Sequence, residues 1–175
     1  WLEWVKELPE ETICSRPVLC TQIAWGLMNA HEVDASESRL RDAERCLEGQ
    51  SDKMGIVDIE QFRSLRARIA FAHAYNAQTR RDFLSAIQYA ELAYKLISEE
   101  NPILRAQTTA ILGATYLING DLDAACKSMN DWINHSIKVG NYFSAFAYAM
   151  TEKADIQTAQ GHLREALRTY QQALE

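Results

Sequence analysis

The stretch Leu112-Gly113-Ala114-Thr115-Tyr116-Leu117-Ile118-Asn119-Gly120-Asp121-Leu122-Asp123-Ala124-Ala125 decides how this chain reads. An apolar run meets a polar break at Asn119-Gly120-Asp121. An apolar residue follows the break, and an alanine comes three residues later. Two other segments share the layout. In one, Ala70 to Ala77 leads through Arg81-Asp82-Phe83 to Ala86, Ala90 and Ala93. In the other, Ala154 to Gly161 leads to Leu163, Ala166, Tyr170 and Ala173. Spacings of three and four residues put such positions on one helix face. Gly113, Ala74 and Ala154 stand at the same distance before the first apolar residue of the second helix. Small side chains there let the two helices of a hairpin approach closely. Gly120 and Gly161 fall where a turn often needs positive φ. Asp82 and Asp121 are placed to cap the second helix.

A fourth unit lies upstream: Ile23-Ala24-Trp25-x-Leu27, a turn near His31-Glu32 without glycine, then Val33, Ser36, Leu40 and Ala43. Aligned on Val33, Phe83, Leu122 and Leu163, the units recur at intervals of 50, 39 and 41 residues. Repeated helix pairs of this kind are tetratricopeptide-like. The basic tetratricopeptide period is about 34 residues, so the helices or loops here are longer. The expected fold class is all-α: a right-handed superhelix of tetratricopeptide-like antiparallel helix pairs forming one domain over 1–175. The pairs are 17–49, 59–98, 102–138 and 142–175, with long first helices over 59–79, 102–119 and 142–160. Residues 1–8 read as the end of a preceding repeat, stopped at Pro9, and 50–58 as a polar insertion. Asp58 and Gln61 look like a capping box. Asn101-Pro102 supplies a cap and a first helical residue. Two positions depart from the pattern: Trp132, where a small residue is expected, and Ser36, where an alanine is.

Composition narrows the function classes. Hydrophobic residues make up 47% and charged residues 24%, ordinary values for a globular protein. Seven glycines and three prolines are too few for the many turns of an all-β domain. The net charge of −6 argues against direct nucleic-acid contact by this segment. Neither a signal peptide nor an apolar run long enough to cross a membrane is read within this segment. Cys14, Cys20, Cys46 and Cys126 show no metal or redox spacing. Cys20, Cys46 and Cys126, among apolar residues of predicted helices, read as small core hydrophobes kept reduced in a cytoplasm. The chain opens on Trp1 rather than Met, which points to a segment of a longer protein. Solenoid ends without polar caps expose apolar faces, so self-association through the terminal helices is expected.

Catalysis needs an activated nucleophile or an acid–base pair held in a pocket. His31, His73, His135 and His162 are scattered, and no two His or Cys share helical metal spacing. No catalytic residue, metal site or cofactor is expected in this segment. His31 and His162 fall at turns, and His73 lies near a packing face, as an interior histidine with its hydrogen bonds satisfied. Binding is the better prospect. In stacked hairpins the first helices line a concave groove, and residues one step off the packing stripe point into it. Here these are Trp25, Met28 and Asn29 from the first unit and Arg68, Phe71, Tyr75 and Gln78 from the second. The third gives Gln107 and Ala114, and the fourth Tyr148, Thr151 and Asp155. Aromatic faces beside amide and charged groups suit a sugar, a small aromatic inducer or an extended peptide. The same aromatics would equally serve as packing between neighbouring helices.

The run Trp1-Leu2-Glu3-Trp4-Val5-Lys6-Glu7-Leu8-Pro9 leads to Arg16-Pro17-Val18-Leu19. Ile23-Ala24-Trp25-Gly26-Leu27 and Leu40-x-x-Ala43-Glu44 follow. This succession resembles the helical-repeat region of the large MalT-like, LuxR-type transcription activators, over almost the whole chain. The resemblance implies a sensor segment that binds a small-molecule inducer or a regulatory protein in its groove. It also implies ATP binding by a separate module of the parent and DNA binding by a C-terminal helix-turn-helix. Neither a glycine-rich phosphate loop ending in Lys-Ser/Thr nor a basic recognition helix occurs here. The competing expectation is a constitutive tetratricopeptide scaffold for protein–protein contacts, without small-molecule binding.

Overall fold

A computed structural model describes residues 2–5, 7–49 and 59–174. Among them the chain is helical throughout, with no strand. Two short helices, α1 (Leu2–Val5) and α2 (Glu10–Cys14), precede the first pair, α3 (Pro17–Asn29) and α4 (Val33–Gly49). The second pair is α5 (Ile59–Thr79) and α6 (Phe83–Leu96), and the third is α7 (Pro102–Ile118) and α8 (Leu122–Lys138). In the fourth, a π-helical segment Ser144–Met150 runs into α9 (Thr151–Ala159), which pairs with α10 (Leu163–Ala173). Each hairpin packs most closely on itself, and successive hairpins stack in chain order. This is the tetratricopeptide-like helical repeat.

The small residues sit where the hairpins close. Ala74, Ala86, Ala90, Ala125, Ala154 and Ala166 are buried. Gly113 backs onto the Met129 thioether, whose sulfur would lie 3.1 Å from an added Cβ. Ser36 keeps the alanine's place because its hydroxyl has a partner, donating to the Ala24 carbonyl at 3.0 Å. Trp132 lies half-buried between the third and fourth pairs, and its indole N–H donates to Ser144 Oγ at 3.1 Å. A bulky residue fits there because it spans two units instead of closing one hairpin.

One turn recurs five times. Backbone N–H groups of Glu32, Asp82, Asp121, Asn141 and His162 donate to the carbonyls of Leu27, Ala77, Tyr116, Ser136 and Gln157, over 2.8–3.0 Å. This is the Schellman bond, which needs a left-handed residue just before the donor. Gly120, Gly140 and Gly161 fill that place with φ of 84°, 72° and 81°; His31 and Arg81 fill it with φ of 61° and 62°. The glycine-free first turn thus has the same geometry as the others. Asp82, Asp121 and Asn101 then cap the next helix, accepting from Ser85, Ala124 and Leu104 at 3.0–3.2 Å.

The expected helix over 1–8 is helical at Leu2–Val5, with a turn at Glu7 and Leu8 before Pro9. Pro9 opens the short α2, which the apolar periodicity did not signal. The expected first helix of the fourth unit widens over Ser144–Met150 into π-helix. The insertion 50–58 and the cap at Asp58 lie outside the described residues. No described helix is long and apolar enough to cross a membrane.

Candidate functional site

The first helices α3, α5 and α7 pack side by side, and the fourth unit is held mainly through α8. The second helices cover one side of this row and leave the other as an inner wall. On α5 the half-exposed Ser64, Arg68, Tyr75 and Gln78 mark that wall. Their spacings of four, seven and three follow one stripe of an α-helix.

Three of the expected residues form one cluster across α3 and α5. The Trp25 and Phe71 rings lie 5.3 Å apart between centroids, tilted by 37°. The Arg68 guanidinium carbon sits 4.8 Å above the Trp25 ring, a cation–π arrangement. Phe71 is buried and supports Trp25 from within, so it presents no open ring face. Two donors in the cluster lack partners: the Trp25 Nε1–H and the Arg68 Nε–H are both buried without an acceptor. Burial lowers the Arg68 pKa, and no carboxylate among the described residues counters it.

The other expected residues have separate roles. Tyr75 is half-buried and packs against the core. Gln78 donates from Nε2 to Thr115 Oγ1 at 3.0 Å, tying α5 to α7. Asn29 and Gln107 are exposed. Tyr148 is 52% exposed and meets the Phe143 ring edge-on, with centroids 5.3 Å apart. Thr151 donates to the Ala147 carbonyl at 3.1 Å. Asp155 accepts a hydrogen bond from the Tyr170 hydroxyl and so is engaged inside its own hairpin. Trp25, Arg68 and Phe71 come together, Gln78 extends the wall to α7, and Tyr148, Thr151 and Asp155 belong to the fourth unit alone.

The opposite side of α5 holds a network that residue spacing alone did not locate. His73, 6% exposed, places Nδ1 3.1 Å from both Glu37 carboxylate oxygens and Nε2 3.2 Å from Glu44 Oε1. Asn76 donates to Glu37 Oε1 at 2.8 Å and to Ser36 Oγ at 3.0 Å. Tyr89 stacks on the imidazole at 4.9 Å. Burial disfavours a charged ring, but the hydrogen bonds and charges of the two carboxylates outweigh it and raise the His73 pKa to about 9. Glu37 is also opposed by burial, and its bonds to His73 and Asn76 hold its pKa below the ordinary value. Glu37 and Glu44 stand seven residues apart on α4, two helical turns on one face. That spacing was the available signal. A cavity of about 440 Å³ opens beside the network, lined by Glu44, Leu47, Ile69, His73, Tyr89 and Leu92 among others.

Glu10, Cys14 and Asp42 bring ligand atoms within 4.8 Å of one another. The Arg39 guanidinium fills the space between them. It donates to Glu10 and Asp42 and lies 3.9 Å from the Cys14 sulfur. Burial, then the charge of Asp42, raises the pKa of the Cys14 and Cys20 thiols, Cys20 to about 12. Neither is a thiolate near neutral pH.

A row of stacked helix hairpins is a tetratricopeptide-like repeat region, and comparison with known proteins agrees. The model of the MalT-like TPR region matches residues 67–175, and the chain belongs to that family. Among curated proteins it is 23% identical to the HTH-type transcriptional regulator MalT of Serratia proteamaculans (strain 568) over 173 residues. The match covers 99% of this chain and 18% of that protein, so the chain spans less than a fifth of its relative's length. No solved structure matches.

Proposed function

We propose that the chain is the sensing segment of a LuxR-type, MalT-like transcription regulator that works in the cytoplasm. It binds a small-molecule inducer or a regulatory protein on its inner wall. The observation carrying this reading is the Trp25–Arg68 cluster: a cation stacked on an aromatic ring, with two buried donors beside it that lack partners. Native structures pair nearly all buried polar groups, so unpaired ones on a binding face mark a place for a ligand. Binding shifts the parent's equilibrium only if the ligand prefers one arrangement of the stack. ATP and DNA would be handled by other domains of the longer protein.

Thermal unfolding of the chain against a panel of small metabolites tests this reading. A true ligand at a hundred times its Kd adds about 2.7 kcal/mol, raising Tm by roughly 7 °C in a chain of this size. A metabolite that does so supports the sensor. If none does and only peptides or proteins bind, the chain is a constitutive scaffold.

A further inference from the structure

Resting on the sensor reading, we infer that Arg68 is an anion anchor. The inducer is then a small organic molecule carrying a carboxylate or phosphate, held by the guanidinium over Trp25. The argument starts from what surrounds this cation. Buried and half-buried charges in proteins are normally paired, and Arg39 and His73 in this chain obey that rule. Arg39 has Glu10 and Asp42; His73 has Glu37 and Glu44. Arg105 stacks on Tyr94 and donates to the carbonyls of Ile97 and Ser98. Arg68 has only the Trp25 ring. Among the described residues it takes part in no salt bridge or hydrogen bond, its Nε–H is buried without an acceptor, and only desolvation acts on its ionisation.

The side chain is also held for recognition. Stacking on Trp25, itself backed by buried Phe71, fixes the plane of the guanidinium. A planar fork held in place loses little entropy when it grips a carboxylate or phosphate with two parallel bonds. Partial desolvation strengthens such a contact relative to water. Tyr75 stands seven residues along the same stripe, about 10 Å up the helix axis. An inducer with its anionic end at Arg68 and a polar or aromatic body reaching Tyr75 matches this spacing.

The test follows the Arg68 Nε–H resonance by nitrogen-15 NMR while the chain is titrated with benzoate and phenyl phosphate, with benzamide as the neutral counterpart of benzoate. The anchor predicts a saturable shift with both anions at millimolar concentrations. It predicts at least tenfold weaker binding of benzamide. Arg68→Gln should weaken both anions roughly tenfold or more, because the bonds lost are charge-assisted, and Arg68→Lys should lose less. Circular dichroism of the variants reports that the helices are intact. Benzamide binding as well as benzoate, Arg68→Gln retaining the anions, or no saturable shift would each overturn the anchor. A neutral metabolite that raises the Tm of parent and Arg68→Gln alike would overturn it too, while leaving the sensor reading standing.

Discussion

Helix α5 carries two cationic side chains five residues apart and places them in opposite circumstances. On the outer side, His73 is clamped between Glu37 and Glu44, with Asn76 and Ser36 completing the network. On the inner wall, Arg68 rests on an aromatic ring with no counter-charge. The outer cation ties the first hairpin to the second and is part of the architecture. The inner one contributes no comparable bond to the fold. A cation whose charge is balanced inside the protein has little left to offer a ligand; one left unbalanced still has its charge to offer.

The contrast can be broken most forcefully from the outer side. Glu37→Ala leaves His73 and Asn76 without their main acceptor in a buried place, which should cost about 3 kcal/mol in urea unfolding. A cost near zero would mean that the network does not clamp the hairpins. A somewhat smaller effect is expected from pH alone. The folded His73 pKa of about 9 lies above its ordinary value of 6.5. Its contribution is therefore complete below the ordinary value and is lost as the pH rises through about 9. Unfolding free energy should fall by on the order of 2 kcal/mol over that window, and His73→Gln should remove this dependence. The smallest effect concerns the turns that set the hairpins in register. His31 and Arg81 occupy a left-handed conformation in which glycine carries no steric penalty. His31→Gly and Arg81→Gly should each stabilise by roughly 0.5–1 kcal/mol, read as a rise in the urea midpoint. Gly120→Ala should destabilise by a similar amount.

What the sequence disclosed and what it hid divide along the same line. Alanines three residues past a turn, Gly120 and Gly161, and the cap at Asp121 act within one hairpin, so the order of residues reveals them. Helix α5 was legible over 59–79 and α8 over 122–138 for that reason. Features that join hairpins were hidden. The partners of His73 come from 36 and 29 residues upstream, and their meeting depends on how two hairpins stack. Trp132 breaks the small-residue pattern because it serves the next unit through Ser144. The π-helical segment at Ser144–Met150 lies where that tryptophan docks, and apolar periodicity does not distinguish it from ordinary helix. Of the groove residues, Trp25, Arg68 and Phe71 could be placed on the right helices, but their convergence and the missing counter-charge are properties of the assembled stack.

The most direct measurement compares the unfolding free energies of Arg68→Gln and His73→Gln under identical neutral conditions. With Arg68 serving the ligand and His73 the fold, His73→Gln should lose roughly 2 kcal/mol or more. Arg68→Gln should change by no more than about 1 kcal/mol, the worth of one cation–π contact. An Arg68→Gln chain as unstable as the His73→Gln chain would contradict the account, because the inner cation would then be a structural strut.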